Sequence, residues 1–165
     1  MAFLRDGSLA LMGDAGGTCR YPSPESKQPK LDLPSTNVWR SGRTYDIGEP
    51  RALLASPNGD SLAFFGRGRG ELRPHRGNGW DRHSYSLGDS VRTGAFHPKR
   101  ALLAVADMYG GDVQLWQTDL RKPVRVGRLT GHHDSVLALD FSPDRERLAT
   151  ASADGTVRIW DVSRF

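Results

Sequence analysis

The sequence predicts an all-β fold assembled from about four copies of one small unit of short strands. Three observations carry this. Nineteen glycines and 10 prolines among 165 residues suit many short elements joined by turns better than long helices. Apolar residues come in short alternating runs, and the pattern of runs and turns recurs along the chain at intervals of 41 to 52 residues.

The copy nearest the end of the chain is the clearest and reads LTGHHDSVLALDFSPDRERLATASADGTVRIWDV over 129–162. Within it VLALDF at 136–141 alternates like a strand, SPDR turns the chain, and LATAS at 148–152 is a second strand. ADG at 153–155 turns again, and TVRIW at 156–160 is a third.

Further back, SVRTGAF at 90–96, the turn HPKR, ALLAVA at 101–106 and GDVQLW at 111–116 repeat the unit, with Phe96 standing 45 residues before Phe141. ALLA at 52–55, the turn SPNG, SLAFF at 61–65 and GELR at 70–73 form a weaker copy, in which Ala55 replaces Phe96 at a spacing of 41. The first copy takes AF at 2–3, the turn LRDG, SLALM at 8–12 and GTCRY at 17–21. From Phe3 to Ala55 is 52 residues, so that interval carries an insertion, and PSPESKQP at 22–29 reads as an exposed connection.

Gly131-His132 ahead of the first strand and Trp160-Asp161 at the end of the third, with SPD and ASADGTVRIWD between them, resemble a WD40 repeat. The resemblance extends over the whole chain and fades toward its beginning. Trp116-Gln117 keeps the tryptophan alone, His75-Arg76 keeps neither residue, and Tyr21-Pro22 offers an aromatic substitute. It implies β-propeller blades, each a four-stranded antiparallel sheet, in one domain over 1–165 with repeats at 1–45, 46–87, 88–130 and 131–165. The fourth strand of each blade is expected near 123–129, near 80–87 and somewhere in 30–45.

Four copies sit at the floor of the range of roughly 4–8 blades that closed propellers use. After Trp160-Asp161 too few residues follow for an outer strand, and little precedes the first inner strand. The expectation is an incomplete ring, part of a larger propeller or completed by a second chain through open blade edges.

Other classes are weighed against this one. His132, His133, Asp134, Ser135, Ser152 and Asp154 together hold the residue types of a hydrolytic triad or a metal site. The resemblance instead assigns His132, Ser152, Asp154 and Trp160 to a structural hydrogen-bond tetrad. Each group has a part there: the indole N–H needs an acceptor, the hydroxyl can relay, and the carboxylate fixes the imidazole tautomer. No catalytic residue, metal or cofactor is expected. Leu87-Gly88-Asp89 stands where the histidine of the preceding repeat belongs, so only the last repeat carries the complete set.

The net charge is +4, from 23 basic and 19 acidic residues. The segment GRGRGELRPHRGNGW at 66–80 concentrates arginine with glycine, histidine and tryptophan, a composition that binds RNA or another polyanion where it is exposed. The competing reading places Arg67 and Arg69 in a turn between blade strands. By position in the family's blades, one flat face would present Arg67, Arg69, Met108, Tyr109, His133 and Asp134, and exposed Met, Tyr and Arg are residue types enriched at binding hot spots. The expected function is therefore a non-catalytic scaffold for protein partners. The alternatives are polyanion binding and service as the regulatory propeller of an enzyme whose catalytic domain lies elsewhere.

One cysteine, Cys19, forms no internal disulfide and no CxxC is present. The start of the chain lacks the apolar run of a signal peptide. The longest apolar runs, such as ALLAVA, are about a third of what a bilayer-spanning helix requires. These features lead to the expectation of a reducing compartment, cytoplasm or nucleus, with no membrane partner.

Overall fold

A computed structural model describes residues 2–3, 9–12, 18–21, 37–40, 43–46, 51–66, 69–76, 79–80, 84–119 and 122–165, and gives the backbone alone for those up to 46 and for 75–76 and 79–80. Every element among them is a strand.

Blade one is the antiparallel sheet of β1 (Ala2–Phe3), β2 (Leu9–Met12) and β3 (Thr18–Tyr21). The hairpin of β4 (Asn37–Arg40) and β5 (Arg43–Asp46) follows. Blade two comprises β6 (Ala52–Ala55), β7 (Ser61–Phe65), β8 (Gly70–Arg76), β9 (Gly79–Trp80) and β10 (Tyr85–Gly88), ordered β10-β8-β7-β6 with β9 paired on β8. Blade three is β11 (Val91–Phe96), β12 (Leu102–Asp107), β13 (Val113–Gln117) and β14 (Val124–Leu129) in sequence order. Blade four is β15 (Val136–Phe141), β16 (Arg147–Ser152) and β17 (Val157–Asp161). The innermost strands stand side by side: β1 beside β6, β6 beside β11, and β11 beside β15. Among the described residues the array does not close into a ring.

Two expectations about outer strands are corrected. The stretch expected to be one strand at 80–87 yields two: β9 extends the end of β8 as a short hairpin, and only β10 is the outer strand, pairing Tyr85 with Leu72. The region 30–45 yields β4 and β5, which pair with each other through Val38↔Tyr45 and Trp39↔Thr44. A four-residue strand followed two residues later by another is short enough to fold back on itself, and the two form a sheet of their own, separate from that of blade one.

One register unites the blades. Phe141 lies opposite Leu148, which lies opposite Trp160; Phe96, Leu103 and Trp116 repeat the set, as do Ala55, Leu62 and Arg73. Arg73, not His75-Arg76, therefore occupies the tryptophan position of blade two. The longer strand β8 runs past the point where a four-residue strand would have put its end.

Burial follows from the period of two. Leu102, Ala104 and Ala106 pack with Val113, Leu115, Val136, Phe141, Leu148 and Val162 between blades three and four. Leu103 and Val105, on the opposite face of the same strand, pack with Ala63, Phe65, Leu72, Leu87 and Val91 between blades two and three. A strand covered on both faces reads as an unbroken apolar run, which is why ALLAVA lacks polar alternation.

Candidate functional site

Blade four holds its hydrogen-bond network in the layer facing blade three. The Trp160 indole N–H donates to Thr150 Oγ1 at 2.9 Å, and Thr150 Oγ1 lies 2.7 Å from His132 Nε2. His132 Nδ1 lies 3.0 Å from Asp154 Oδ2. The consistent assignment has Nδ1–H donating to the carboxylate and Nε2 accepting from the threonine hydroxyl. The His132 and Trp160 rings meet edge to face with centroids 6.1 Å apart.

The hydroxyl in this network is that of Thr150, which corrects the assignment to Ser152. Thr150 and Ser152 share one face of β16, but Trp160 is registered on Leu148, so Thr150 is the nearer by two residues. Ser152 Oγ is used elsewhere: it donates to Asp134 O at 2.9 Å and accepts from Asp154 N at 3.1 Å. Trp160 is half-buried rather than fully enclosed.

Asp154 is the most heavily hydrogen-bonded group of the set. Its carboxylate accepts from the Thr156 hydroxyl at 2.6 Å and from the backbone N–H of His133 and of Thr156, both at 2.9 Å. These donors, Thr156 first, hold its pKa far below the usual carboxylate range. Sequence reading missed Thr156, although a threonine two residues after an aspartate in a turn is a recurrent local donor. The chemistry available is structural. Both His132 nitrogens are engaged, its side chain is fully enclosed, and Thr150 is buried.

Blade three replaces the network by apolar packing. Val105 stands where Thr150 does and Leu87 takes the place of the histidine. Both are in the apolar cluster, against which Trp116 packs. Trp116 Nε1 is consequently buried with no hydrogen-bond partner among the described residues.

The flat face formed by turns collects most of the expected partner-binding residues. Met108 N donates to Ser90 O at 2.6 Å, and Met108 O accepts from the Ser135 hydroxyl, so this turn is fastened to its own blade and to blade four. Asp107 Oδ1 accepts from the N–H of Tyr109 at 3.0 Å and of Gly110 at 3.3 Å. Gly111 has φ 68°, and a Cβ there would lie 2.6 Å from His132 O, so the turn approaches the His132–Asp134 segment as closely as a backbone can. Tyr109 is 76% exposed, and His133 and Asp134 are exposed beside it. Arg69 sits apart, paired with Asp89 at 3.2 Å, and Arg67 lies outside the described residues.

On the opposite face the turns between first and second strands use a common device. Ser56 Oγ accepts from Ser61 N at 2.9 Å and Ser142 Oγ from Arg147 N at 3.1 Å. His97 occupies the same place, its Nδ1 accepting from Lys99 N at 3.0 Å and Arg100 N at 2.8 Å while Nε2 lies 3.0 Å from Arg145 O in blade four. Burial lowers the His97 pKa, and the charges of Arg100 and Arg145 act in the same direction against the hydrogen bond to Arg145. Ser56-Pro57-Asn58 and His97-Pro98-Lys99-Arg100 line a shallow groove between blades two and three.

Repeated radial sheets stacked face to face, with inner strands side by side, define a set of β-propeller blades. Residues 122–161 match the family model "WD domain, G-beta repeat". That segment, β14 to β17, is thus a repeat of the WD40 type. Coronin-7 of Rattus norvegicus is 38% identical over 66 residues, 40% of this chain and 7% of that protein. Striatin-4 of Homo sapiens is 66% identical over 35 residues, 21% and 5% of the two chains. GATOR2 complex protein WDR24 of Danio rerio is 40% identical over 77 residues, 46% and 10%. The matched region spans a tenth or less of the length of these relatives. A chain in the crystal structure of a mitotic checkpoint complex shares the fold with a TM-score of 0.71 at 16% identity, over 99% of this chain and 47% of that one.

Proposed function

We propose that this chain is a non-catalytic scaffold that binds a protein partner on the face formed by the Met108–Gly111 turn, His133 and Asp134. The observation that carries the reading is Tyr109, 76% exposed on a turn that donates hydrogen bonds to Asp107 and Ser90 and accepts one from Ser135. An exposed aromatic on a preorganised backbone loses little entropy on binding and contributes large contact area. WD40 repeats commonly mediate such interactions, and the relatives, one of them described as a complex subunit, belong to the same repeat class. The Arg69–Asp89 pair reduces the free positive charge of the polyanion alternative.

The test is selection of displayed peptides on the purified chain, followed by titration of Tyr109→Ala and Asp134→Ala. Binding weakened by about 2 kcal/mol in Tyr109→Ala and unchanged in Asn58→Ala, on the far face, supports the reading. Peptides indifferent to Tyr109 overturn it. Binding of an RNA homopolymer that falls steeply with salt and ignores Tyr109 would support the polyanion alternative instead.

A further inference from the structure

Blades two and four build the same turn with one chemical difference. In each a serine opens the turn and a proline follows. The turn closes on a residue at φ 72° whose N–H donates to the serine carbonyl: Gly59 N to Ser56 O at 2.8 Å, Arg145 N to Ser142 O at 2.9 Å. Ahead of that residue stands Asp144 in blade four and Asn58 in blade two. The Ser142 hydroxyl and Glu146 N both donate to Asp144 Oδ1. In the same way the Ser56 hydroxyl at 2.7 Å and Asp60 N at 3.2 Å donate to Asn58 Oδ1. The blade-two turn is therefore already shaped for a carboxylate at position 58.

Asn58 is exposed and is followed by glycine, which has no side chain to shield its own nitrogen. An asparagine so placed reacts with the main chain. The Gly59 nitrogen gives up its proton and attacks Asn58 Cγ, the Cγ–Nδ2 bond breaks as ammonia leaves, and the five-membered imide that results takes up water. Opening the imide at Cγ gives aspartate, and opening it at the main-chain carbonyl gives isoaspartate. Both carry a carboxylate, and aspartate leaves the main chain as it was. During attack negative charge develops on Oδ1, where the Ser56 hydroxyl and Asp60 N–H are already aimed. Against this stands the Gly59 N–H bond to Ser56 O, which must open before the nitrogen reacts. Opening one hydrogen bond of a surface turn slows the reaction by no more than about tenfold.

We propose that Asn58 is a self-modification site, at which the native chain converts the amide to a carboxylate and so adds a negative charge to the groove between blades two and three. The other wall of that groove carries Lys99 and Arg100. In blade four Arg147 neutralises the equivalent charge on Asp144. Ser61 occupies that position in blade two, and Arg100 already serves the carbonyls of Val162 and Ser163, so the new charge meets Lys99.

The test holds the purified chain at mildly alkaline pH, native and urea-unfolded, and maps acid-digested peptides by mass spectrometry. Asn58 and Asn78, the other asparagine followed by glycine, are read separately in the map. Asn58 is expected to react in the native chain within about tenfold of its unfolded rate. Gly59→Arg copies the blade-four turn while shielding the nitrogen, and is expected to lose most of the reaction. Asn58→Asp is expected to keep the native circular-dichroism spectrum, and Lys99→Ala to lower its thermal midpoint more than that of the wild type. The wild-type ratio and the Asn58→Asp comparison stand even where Gly59→Arg fails to fold. A native rate more than about tenfold below the unfolded one would mean that the turn protects its asparagine, and would overturn the proposal. An undiminished rate in a folded Gly59→Arg, or equal effects of Lys99→Ala in the two backgrounds, would overturn it as well.

Discussion

Thr150 accepts the indole N–H of Trp160 at 2.9 Å and stands 2.7 Å from His132 Nε2, so a single hydroxyl joins the two aromatic groups of blade four. Thr150→Val preserves shape but leaves the indole N–H and the imidazole nitrogen without partners. The expected cost is about 1–3 kcal/mol, as for buried groups left unsatisfied. Ser152→Ala removes the peripheral bonds to Asp134 O and from Asp154 N, with an expected cost of about 1 kcal/mol. Urea denaturation of both variants checks the order. A larger loss in Ser152→Ala would return the central role to the serine.

Arg145 adopts φ 72°, the value Gly59 has in the matching turn of blade two. A side chain in this left-handed region is strained, and the exposed Arg145 side chain accepts no compensating burial. The two bonds this residue makes to His97 and Arg100 use its carbonyl, which glycine retains. Arg145→Gly is expected to raise stability by about 0.5–1 kcal/mol, less than the full strain because glycine gains freedom in the unfolded chain. Thermal unfolding checks this, and a lowered midpoint would show that the side chain supports the turn.

The pH dependence of stability has a histidine component of definite sign. The His97 pKa is lowered in the fold, chiefly by burial, so between the unfolded and folded values the unfolded chain holds the extra proton. Its contribution is present above pH about 6.5 and is lost as pH falls from there toward the folded value. Protonation also removes the lone pair that receives Lys99 N and Arg100 N. His97→Ser, which restores the residue used at 56 and 142, is expected to abolish the loss between pH 7 and 5. The Asp154 carboxylate, also depressed, contributes a separate loss only below about pH 4. A Ser variant with an unaltered slope between pH 7 and 5 would show another group to be responsible.

Strand positions were legible wherever a strand is short and ends in Gly, Pro or Asp turns. ALLA at 52–55 and VLALDF at 136–141 coincide with β6 and β15 residue for residue. The sequence-level error at Ser152 has a definite physical source. Two hydroxyls two residues apart lie on one strand face, and only cross-strand registration of Trp160 on Leu148 chooses between them. The same holds for Arg73, whose place opposite Leu62 depends on pairing and not on its distance from a turn. In the sequence His97 reads only as part of a turn, because its Nε2 partner lies 48 residues away, a contact that no local pattern encodes.

One side chain of blade three hydrogen-bonds the residues after β17. Arg100 Nη1 donates to Val162 O and Ser163 O, each at 3.1 Å, and to Phe165 O, while Nη2 reaches Arg145 O at 3.3 Å. The Phe165 ring lies against Gly127 of β14, where a Cβ would come within 2.5 Å of its Cε1. Val162 has further support, being fully buried with its N–H on Glu146 O at 2.8 Å, whereas the Phe165 N–H has only the Val162 carbonyl at 3.2 Å. Arg100→Met keeps the aliphatic stem and removes the donors. Its partly exposed bonds imply a global loss of about 1 kcal/mol, below the range for enclosed charged donors. Amide exchange at Phe165 is expected to accelerate about tenfold and at Val162 much less, since local opening then costs less than global unfolding. Gly127→Ala displaces the ring alone, and should speed Phe165 while leaving Val162 at the wild-type rate. Equal acceleration at both amides in Arg100→Met would mean that the segment and blade four open together, and that Arg100 secures the blade rather than its end.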